Sequence, residues 1–162
     1  MTKLNKDPSL THEQKLDRLG EVAVRVGLGL QPGQELVMTA SLDALPLVRR
    51  ITEHAYKAGA SLVTTLFSDE EATLMRYRHA PDGSFDVASG WLYDGMASAF
   101  RNGAARLAIA GENPSLLAGQ DPDKVSRANR ARSKAYMPAL ELIAGFDINW
   151  TIASFASPAW AK

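Results

Sequence analysis

Apolar residues near the start of the chain recur at intervals of three and four, the period of an amphipathic helix. This helix should begin near Thr11, because Thr11 and Gln14 have the spacing of a capping box. The later motif Gly27-x-Gly29 is typical of a helix end. The apolar positions that we expect to face the core are Leu16, Leu19, Ala23, Val26 and Leu30.

Four short apolar runs further along the chain have the character of buried β-strands. They occupy residues 35–40, 62–67, 105–110 and 149–154. Helical patterns separate them, over residues 43–58, 72–79, 85–101 and 123–143. Pro138 can kink the last of these helices, because proline removes a backbone hydrogen bond.

Several of these helices have recognisable ends and faces. Asp43 can cap the second helix, and Gly59 stands where a left-handed helix end would need it. The acidic run 69–71 precedes the third helix, where the helix dipole favours negative charge. The apolar face of the second helix comprises Leu47, Val48, Ile51, Ala55 and Ala58. The fourth helix carries Trp91, Leu92, Met96 and Phe100.

This alternation of helices and strands predicts an α/β fold. The sheet should be mainly parallel and four-stranded, with helices on both faces in Rossmann or flavodoxin-like layering. We expect the strand order 2-1-3-4, because the first strand is nearly all apolar and then lies inside the sheet. No repeat or linker divides the sequence, so residues 1–162 should form a single domain.

Composition excludes several classes of partner. Eighteen basic residues balance 18 acidic ones, so no overall field favours nucleic acid or an anionic membrane. The chain has no cysteine, which excludes disulfides and thiolate chemistry. Its first residues contain no apolar signal segment, and we therefore predict a cytoplasmic protein. The glycosylation sequon at Asn149 is then a chance match within a strand.

No constellation of catalytic or metal-ligating residues is evident. The three histidines, His12, His54 and His79, lie far apart in sequence, and the acidic run 69–71 has no zinc-type spacing to any of them. No glycine-rich phosphate loop follows the first strand, and no nucleophile elbow is present. We therefore predict no catalytic, cofactor-binding or metal-binding residue within this chain.

The most function-like cluster is Arg76, Tyr77, Arg78 and His79, at the end of the third helix. Arginine and tyrosine are enriched in interface cores, so we expect these side chains to contact a second domain or subunit. The alternative is a solvated helix end, where cations are favourable. The basic run 124–134 lacks interleaved aromatic residues and should be an exposed helix face.

Short motifs along nearly the whole chain resemble the amino-terminal part of the thermophilic-type aminopeptidases, the aminopeptidase T and aminopeptidase S group. Each motif alone is weak, but the ordered set is specific. The motifs are Leu-Gln-Pro-Gly-Gln-Glu-Leu (30–36), Pro-Leu-Val-Arg (46–49), Ala-Gly-Ala (58–60), Ser-Asp-Glu-Glu (68–71) with Arg76 and His-Ala-Pro (79–81), Gly-Glu-Asn-Pro (111–114), Leu-Ala-Gly-x-Asp-Pro (117–122), Asn-Trp-Thr (149–151) and Pro-Ala-Trp-Ala (158–161).

The resemblance implies a hydrolase that removes amino-terminal residues from peptides with two divalent ions, zinc, cobalt or manganese. In that family the metal ligands lie in a carboxyl-terminal domain, so no catalytic residue is carried over. This chain would be the scaffold that helps to form the cavity, with its own catalytic domain, a second copy in a homodimer and the peptide substrate as partners. Pro158 is typical of a first helical residue, so we expect the polypeptide to continue.

Two other functions fit the same residues. A stand-alone α/β module could bind a small ligand at the carboxyl ends of its strands without catalysis. A free-standing enzyme of another class would need a compact set of polar side chains, which the sequence does not reveal.

Overall fold

The structure is a computed structural model that describes residues 10–157 and 160. The predicted helix start at Pro158 lies outside the described residues. These residues form five α-helices and four β-strands. The helices are α1 His12–Val22, α2 Leu45–Lys57, α3 Glu70–His79, α4 Gly90–Arg101 and α5 Pro122–Ala144. The strands are β1 Glu35–Ser41, β2 Leu62–Ser68, β3 Ala105–Ala110 and β4 Trp150–Ser154. Among the described residues, α3 and α4 are the only neighbouring α-helices without a strand between them.

The strands form one parallel sheet in the order β2-β1-β3-β4, which confirms the predicted fold class and strand order. Glu35 pairs with Leu62 at the start of β1 and β2. On the other side of β1, Val37 pairs with Arg106 of β3, which in turn pairs with Trp150 of β4. Two edge strands therefore enclose β1 and β3, which are the most buried of these strands.

Hydrophobic cores on both faces hold this sheet between helices. Alternate residues of β1 point to opposite faces, as the period of a strand requires. Leu36 and Met38 pack with the buried sides of α1 and α2. Val37 packs with Phe100 of α4 and with Ile143 of α5. The helix-on-both-faces arrangement was thus predictable from the alternation of elements.

The first helix confirms the predicted capping box but not the predicted face. The Gln14 amide donates to the Thr11 hydroxyl at 3.2 Å, and the Thr11 amide donates to the Gln14 side chain at 2.8 Å. After Val22 the helix continues as a π-helical segment, Ala23–Leu28, which ends at Gly29 in the left-handed conformation. A π-turn contains more residues than an α-turn, so the buried face shifts along the sequence.

Two of the five residues predicted to face the core are exposed. Leu19 is 37% exposed and Val26 is 76% exposed, whereas Val24 and Leu28 are buried in their place. The prediction that Leu19 and Val26 belong to the core was therefore wrong. For Val26 it failed because it assumed the α-helical period through the π-helical segment, whereas Leu19 precedes that segment and the change of period does not explain its exposure.

The second helix buries the predicted apolar face, but its start differs from the prediction. A short 3-10 turn, Leu42–Ala44, precedes α2, and the side chain of Asp43 makes no capping hydrogen bond. Pro46 lies in the first turn of the helix instead, where its fixed backbone angle is favourable. Gly59 has φ +95° and confirms the predicted left-handed end.

The segment after α3 also departs from the prediction of one helix over 85–101. A 3-10 turn, Asp82–Asp86, comes first and buries Phe85 completely. Helix α4 then starts at Gly90, and Trp91 is 77% exposed rather than part of the core. Met96 and Phe100 are buried as predicted.

The remaining correction concerns β2. Strand β2 was predicted to be buried, but none of its residues is, because it is an edge strand. Helix α5 continues through Pro138. In the part of the chain that the structure describes, no helix has the length and apolar character needed to cross a membrane.

Candidate functional site

The carboxyl ends of β1, β2 and β3 lie together along one side of the sheet, called the carboxyl edge below, where ligands of open α/β sheets usually bind. Hydrogen bonds tie the segments at this edge together. The Ser68 hydroxyl donates to Glu112 Oε1 at 3.1 Å and lies 3.4 Å from the carbonyl oxygen of Ala40. The loop after β3 is therefore fixed against the ends of β1 and β2.

Gly111 allows this loop to pass close to the segment that follows β4. Its φ of +138° is one that other residues rarely adopt, and an added Cβ would lie 2.6 Å from the carbonyl carbon of Phe155. Two backbone hydrogen bonds hold the segments together, from Phe155 to Ala110 at 2.8 Å and from Ser157 to Gly111 at 3.2 Å. Only glycine fits at this close approach.

The acidic run 69–71 at the same edge has structural roles. Asp69 caps α3 and accepts from the amides of Glu71 at 2.8 Å and Ala72 at 3.3 Å. Glu70 accepts from the amide of Asn113 at 2.8 Å, which connects α3 to the loop after β3. These contacts give the carboxylates of Asp69 and Glu70 structural partners within the chain.

A cleft of about 440 Å³ opens beside this edge, on the face of the sheet covered by α4 and α5. Its apolar walls include Leu66 and Met96, and the rings of Tyr93 and Tyr136 lie 5.5 Å apart in its wall. Arg106 of β3 also lines it. The Nε of Arg106 is buried and has no hydrogen-bond partner among the described residues.

The sequence analysis missed this cleft. One signal was available, because Arg106 is a charged residue in the otherwise apolar strand Ala-Arg-Leu-Ala-Ile-Ala. A charge in a buried strand is rare unless it is paired or functional. The tyrosines gave no such signal, since their positions on α4 and α5 are compatible with ordinary packing.

The three histidines remain apart in the structure. His54 is buried on α2, and its Nε2 lies 3.0 Å from Asp17 Oδ1 of α1, so this pair joins two helices. His12 and His79 are exposed at opposite ends of different helices. Among residues 10–157 and 160, no three His, Cys, Asp or Glu side chains are placed to share a metal ion. These residues do not fit a two-metal centre.

The cluster at the end of α3 is divided between two roles. Arg76 turns inward and donates to the carbonyl of Ser84, to its hydroxyl at 3.2 Å, and to the carbonyl of Val87 at 3.0 Å. The ring of Tyr77 packs 5.1 Å from that of Phe85. The interpretation of all four residues as an interface is therefore corrected for Arg76 and Tyr77, while Arg78 and His79 are exposed.

The basic run 124–134 also contains an unexpected internal contact. Arg127 is only 18% exposed and donates to Asp86 at 2.9 Å and to Asp82 at 3.0 Å. Hydrogen bonding by Arg127 lowers the pKa of the Asp86 carboxyl, and the two aspartates raise the pKa of Arg127 further above its usual range. Arg127 therefore fixes the 3-10 turn to α5 and is not part of a freely exposed face.

The parallel order β2-β1-β3-β4, with helices on both faces and a cleft at the carboxyl edge, defines a domain of the doubly wound α/β class. Residues 12–162 match the family described as Thermophilic metalloprotease (M29). The chain therefore belongs to this family.

Individual relatives give the same result. The chain is 49% identical over 150 residues to aminopeptidase T of Thermus thermophilus, covering 93% of the chain and 37% of the relative. It is 37% identical to aminopeptidase 2 of Geobacillus stearothermophilus, covering 93% of the chain and 36% of the relative. A solved structure of wild-type AmpT from Thermus thermophilus has a TM-score of 0.90 at 49% identity, covering 93% of this chain and 38% of that one.

These numbers confirm the predicted resemblance to the aminopeptidase T group. They also show that the chain spans just over a third of the length of the curated relatives that it matches.

Proposed function

We propose that this chain is the amino-terminal domain of a metal-dependent aminopeptidase, a hydrolase that removes amino-terminal residues from peptides. Within that enzyme it acts as a scaffold and as one wall of the catalytic cavity. The observation that carries the proposal is 49% identity over 93% of the chain to a protein named aminopeptidase T, of which the chain covers 37%.

The metal ions belong, in this proposal, to a catalytic domain that corresponds to the remaining length of the relatives. Two divalent ions, zinc, cobalt or manganese, are the cofactors that we propose for the full-length enzyme. The positions of the described residues support this division. His54 is already paired with Asp17, and the carboxylates of Asp69 and Glu70 are occupied by backbone amides.

The partners follow from the same division. The domain would pack against its own catalytic domain, and the enzyme would act on peptides in the cytoplasm as a homodimer. Exposed apolar side chains near the start of α4 support such packing, because Trp91 is 77% exposed and Val87 is 63% exposed. Large apolar groups of this kind commonly mark interaction surfaces when they cluster.

An assay on the full-length enzyme tests the proposal. Chelation should abolish the release of amino-terminal residues from a leucyl-anilide and from a peptide, and added zinc, cobalt or manganese should restore it. The 162-residue chain should show neither stoichiometric micromolar binding of these ions by calorimetry nor turnover. A full-length protein that cleaves no peptide with any of the three metals would refute the activity. Metal-dependent turnover by the 162-residue chain would refute the scaffold role.

One observation favours a second function, a stand-alone module that binds a small ligand. The cleft of about 440 Å³ lies at the carboxyl edge of the sheet and contains polar groups, as ligand sites of this fold do. The two functions differ in one readily determined fact. The scaffold function requires the reading frame to continue past Lys162 into a segment with histidine and acidic metal ligands.

A further inference from the structure

Arg106 is half-buried, and its buried, unpaired Nε is the feature of the cleft that scaffolding does not explain. Arg106 lies opposite Val37 in the sheet, so it shares the α4 and α5 face. Its Nε is buried without an acceptor, and none of the ion pairs in the described part of the chain includes it. Burial of an unsatisfied polar group is costly, and more so when it is charged. The position therefore suits a ligand that brings an acceptor.

The other polar groups of the cleft make it suitable for an anion. Arg132 of α5 is the second cation in the lining, and its hydrogen bond goes to Asn129 of its own helix at 3.3 Å. Glu112 is the single acid of the lining and lies at the mouth, where it accepts from Ser68. The lining thus carries two guanidiniums and one carboxylate. A guanidinium binds the planar carboxylate group through two parallel hydrogen bonds.

The walls of the cleft favour an anion with an apolar body. Leu66, Leu92 and Met96 contribute aliphatic surface, and the paired rings of Tyr93 and Tyr136 add aromatic surface. A doubly charged phosphate fits less well. The loop after β1 contains no glycine to cradle it, and Glu112 at the mouth would repel a dianion more than a monoanion.

We propose that this cleft binds the α-carboxylate of an apolar amino acid or short peptide, with Arg106 as the residue that receives the carboxylate. Glu112 at the mouth is placed to attract the ammonium group of such a ligand. Arg132 increases the positive charge of the lining. This proposal does not depend on the aminopeptidase activity proposed above.

Titration of the 162-residue chain, followed by calorimetry and by amide chemical shifts, tests the proposal. N-acetyl-leucine and leucyl-leucine should bind at one site and shift amides of the cleft. Leucinamide lacks the carboxylate and should bind at least about tenfold more weakly than N-acetyl-leucine, because a hydrogen bond to a charged group is lost. Inorganic phosphate should also bind at least about tenfold more weakly than N-acetyl-leucine. N-acetyl-leucine has a carboxylate but no ammonium group, so its binding measures the carboxylate site alone. Tighter binding of leucyl-leucine, which has both groups, would show that Glu112 also contributes.

Two substitutions that each remove one positive charge distinguish loss of a specific contact in the cleft from a general effect of net charge. Arg106→Met should weaken binding of N-acetyl-leucine at least about tenfold without lowering the melting temperature, since it removes a buried donor that has no partner. Arg130→Met is the matched control, because Arg130 is exposed on α5 and does not line this cleft. It should leave binding unchanged. Arg132→Met gives a second test from the rim of the cleft and should weaken binding severalfold.

Three results would overturn the proposal. One is the absence of binding of both carboxylates at millimolar concentration. Another is equal binding of N-acetyl-leucine and leucinamide. The third is an Arg106→Met variant that folds and binds like the original chain, or, where that variant does not fold, unchanged binding by Arg132→Met.

Discussion

Replacement of Gly111 by alanine should be among the most damaging single changes in this domain. The substitution forces a side chain into a backbone with φ +138°, and the new Cβ would lie 2.6 Å from the carbonyl carbon of Phe155. The backbone strain costs about 1–3 kcal/mol. Relief of the clash requires the segment after β4 to move, which endangers its hydrogen bonds to Ala110 and Gly111. Two such bonds contribute about 1–3 kcal/mol together.

The expected loss is therefore about 4 kcal/mol, or a fall in melting temperature of about 8–16 °C for a domain of this size. Two control variants separate strain from clash. Gly103 has φ +87° and open space around it, so Gly103→Ala should cost the strain alone. Gly95 lies in α4 with open space, and Gly95→Ala should stabilise by about 0.5–1 kcal/mol.

Urea unfolding followed by circular dichroism gives all three free energies. If Gly111→Ala and Gly103→Ala lost the same stability, the contact between the loop after β3 and the segment after β4 would contribute nothing measurable. The reasoning from close approach would then be refuted, even if the strain were real.

Three further predictions concern the region between α3 and α5. Arg127 lowers the pKa of Asp86 below its ordinary 3.8, so the contact stabilises the fold above that pH, and this stabilisation is lost as the pH falls through the lowered pKa. Between pH 6 and pH 2 the urea midpoint of Arg127→Met should therefore decrease less than that of the original chain. Phe85→Ala should cost about 3–5 kcal/mol in urea unfolding, whereas Phe85→Leu should cost clearly less. Arg76→Ala should lower the unfolding free energy by about 1–3 kcal/mol, and Arg78→Ala by less than about 0.5, so equal effects would contradict the assignment of Arg76 to an internal contact.

The sheet was predictable because its signals are local. Each strand is a short apolar run, and the length of the helical segments between them requires crossover connections and hence parallel pairing. The capping box at Thr11 and the left-handed glycine at 59 are likewise decided within a few residues. The error at Val26 had a different origin. The π-helical segment after Val22 changes the period of the helix, and no single residue there indicates it.

The candidate site was less predictable because its contacts join distant parts of the chain. Arg127 is separated in sequence from Asp82 and Asp86 by the whole of α4 and β3, yet it forms hydrogen bonds with both. Arg76 donates to Val87, which lies beyond the end of its own helix. Because arginine is usually exposed, the sequence alone predicted that Arg76 and Arg127 lie on the surface. Arg106 was the exception, because its position in an apolar strand was a visible signal that the sequence analysis did not use.

The strand order also has a consequence for how the domain folds. Glu35 of β1 pairs with Leu62, but Leu36 of the same strand pairs with Ala105, and Arg106 pairs with Trp150. Closing a longer loop costs more entropy before any contact compensates for it. The segment from α1 to β2 should therefore collapse first, and the central pairing of β1 with β3 should limit the folding rate. Until β3 arrives, one edge of β1 stays open to other chains, which makes this step the point most vulnerable to aggregation.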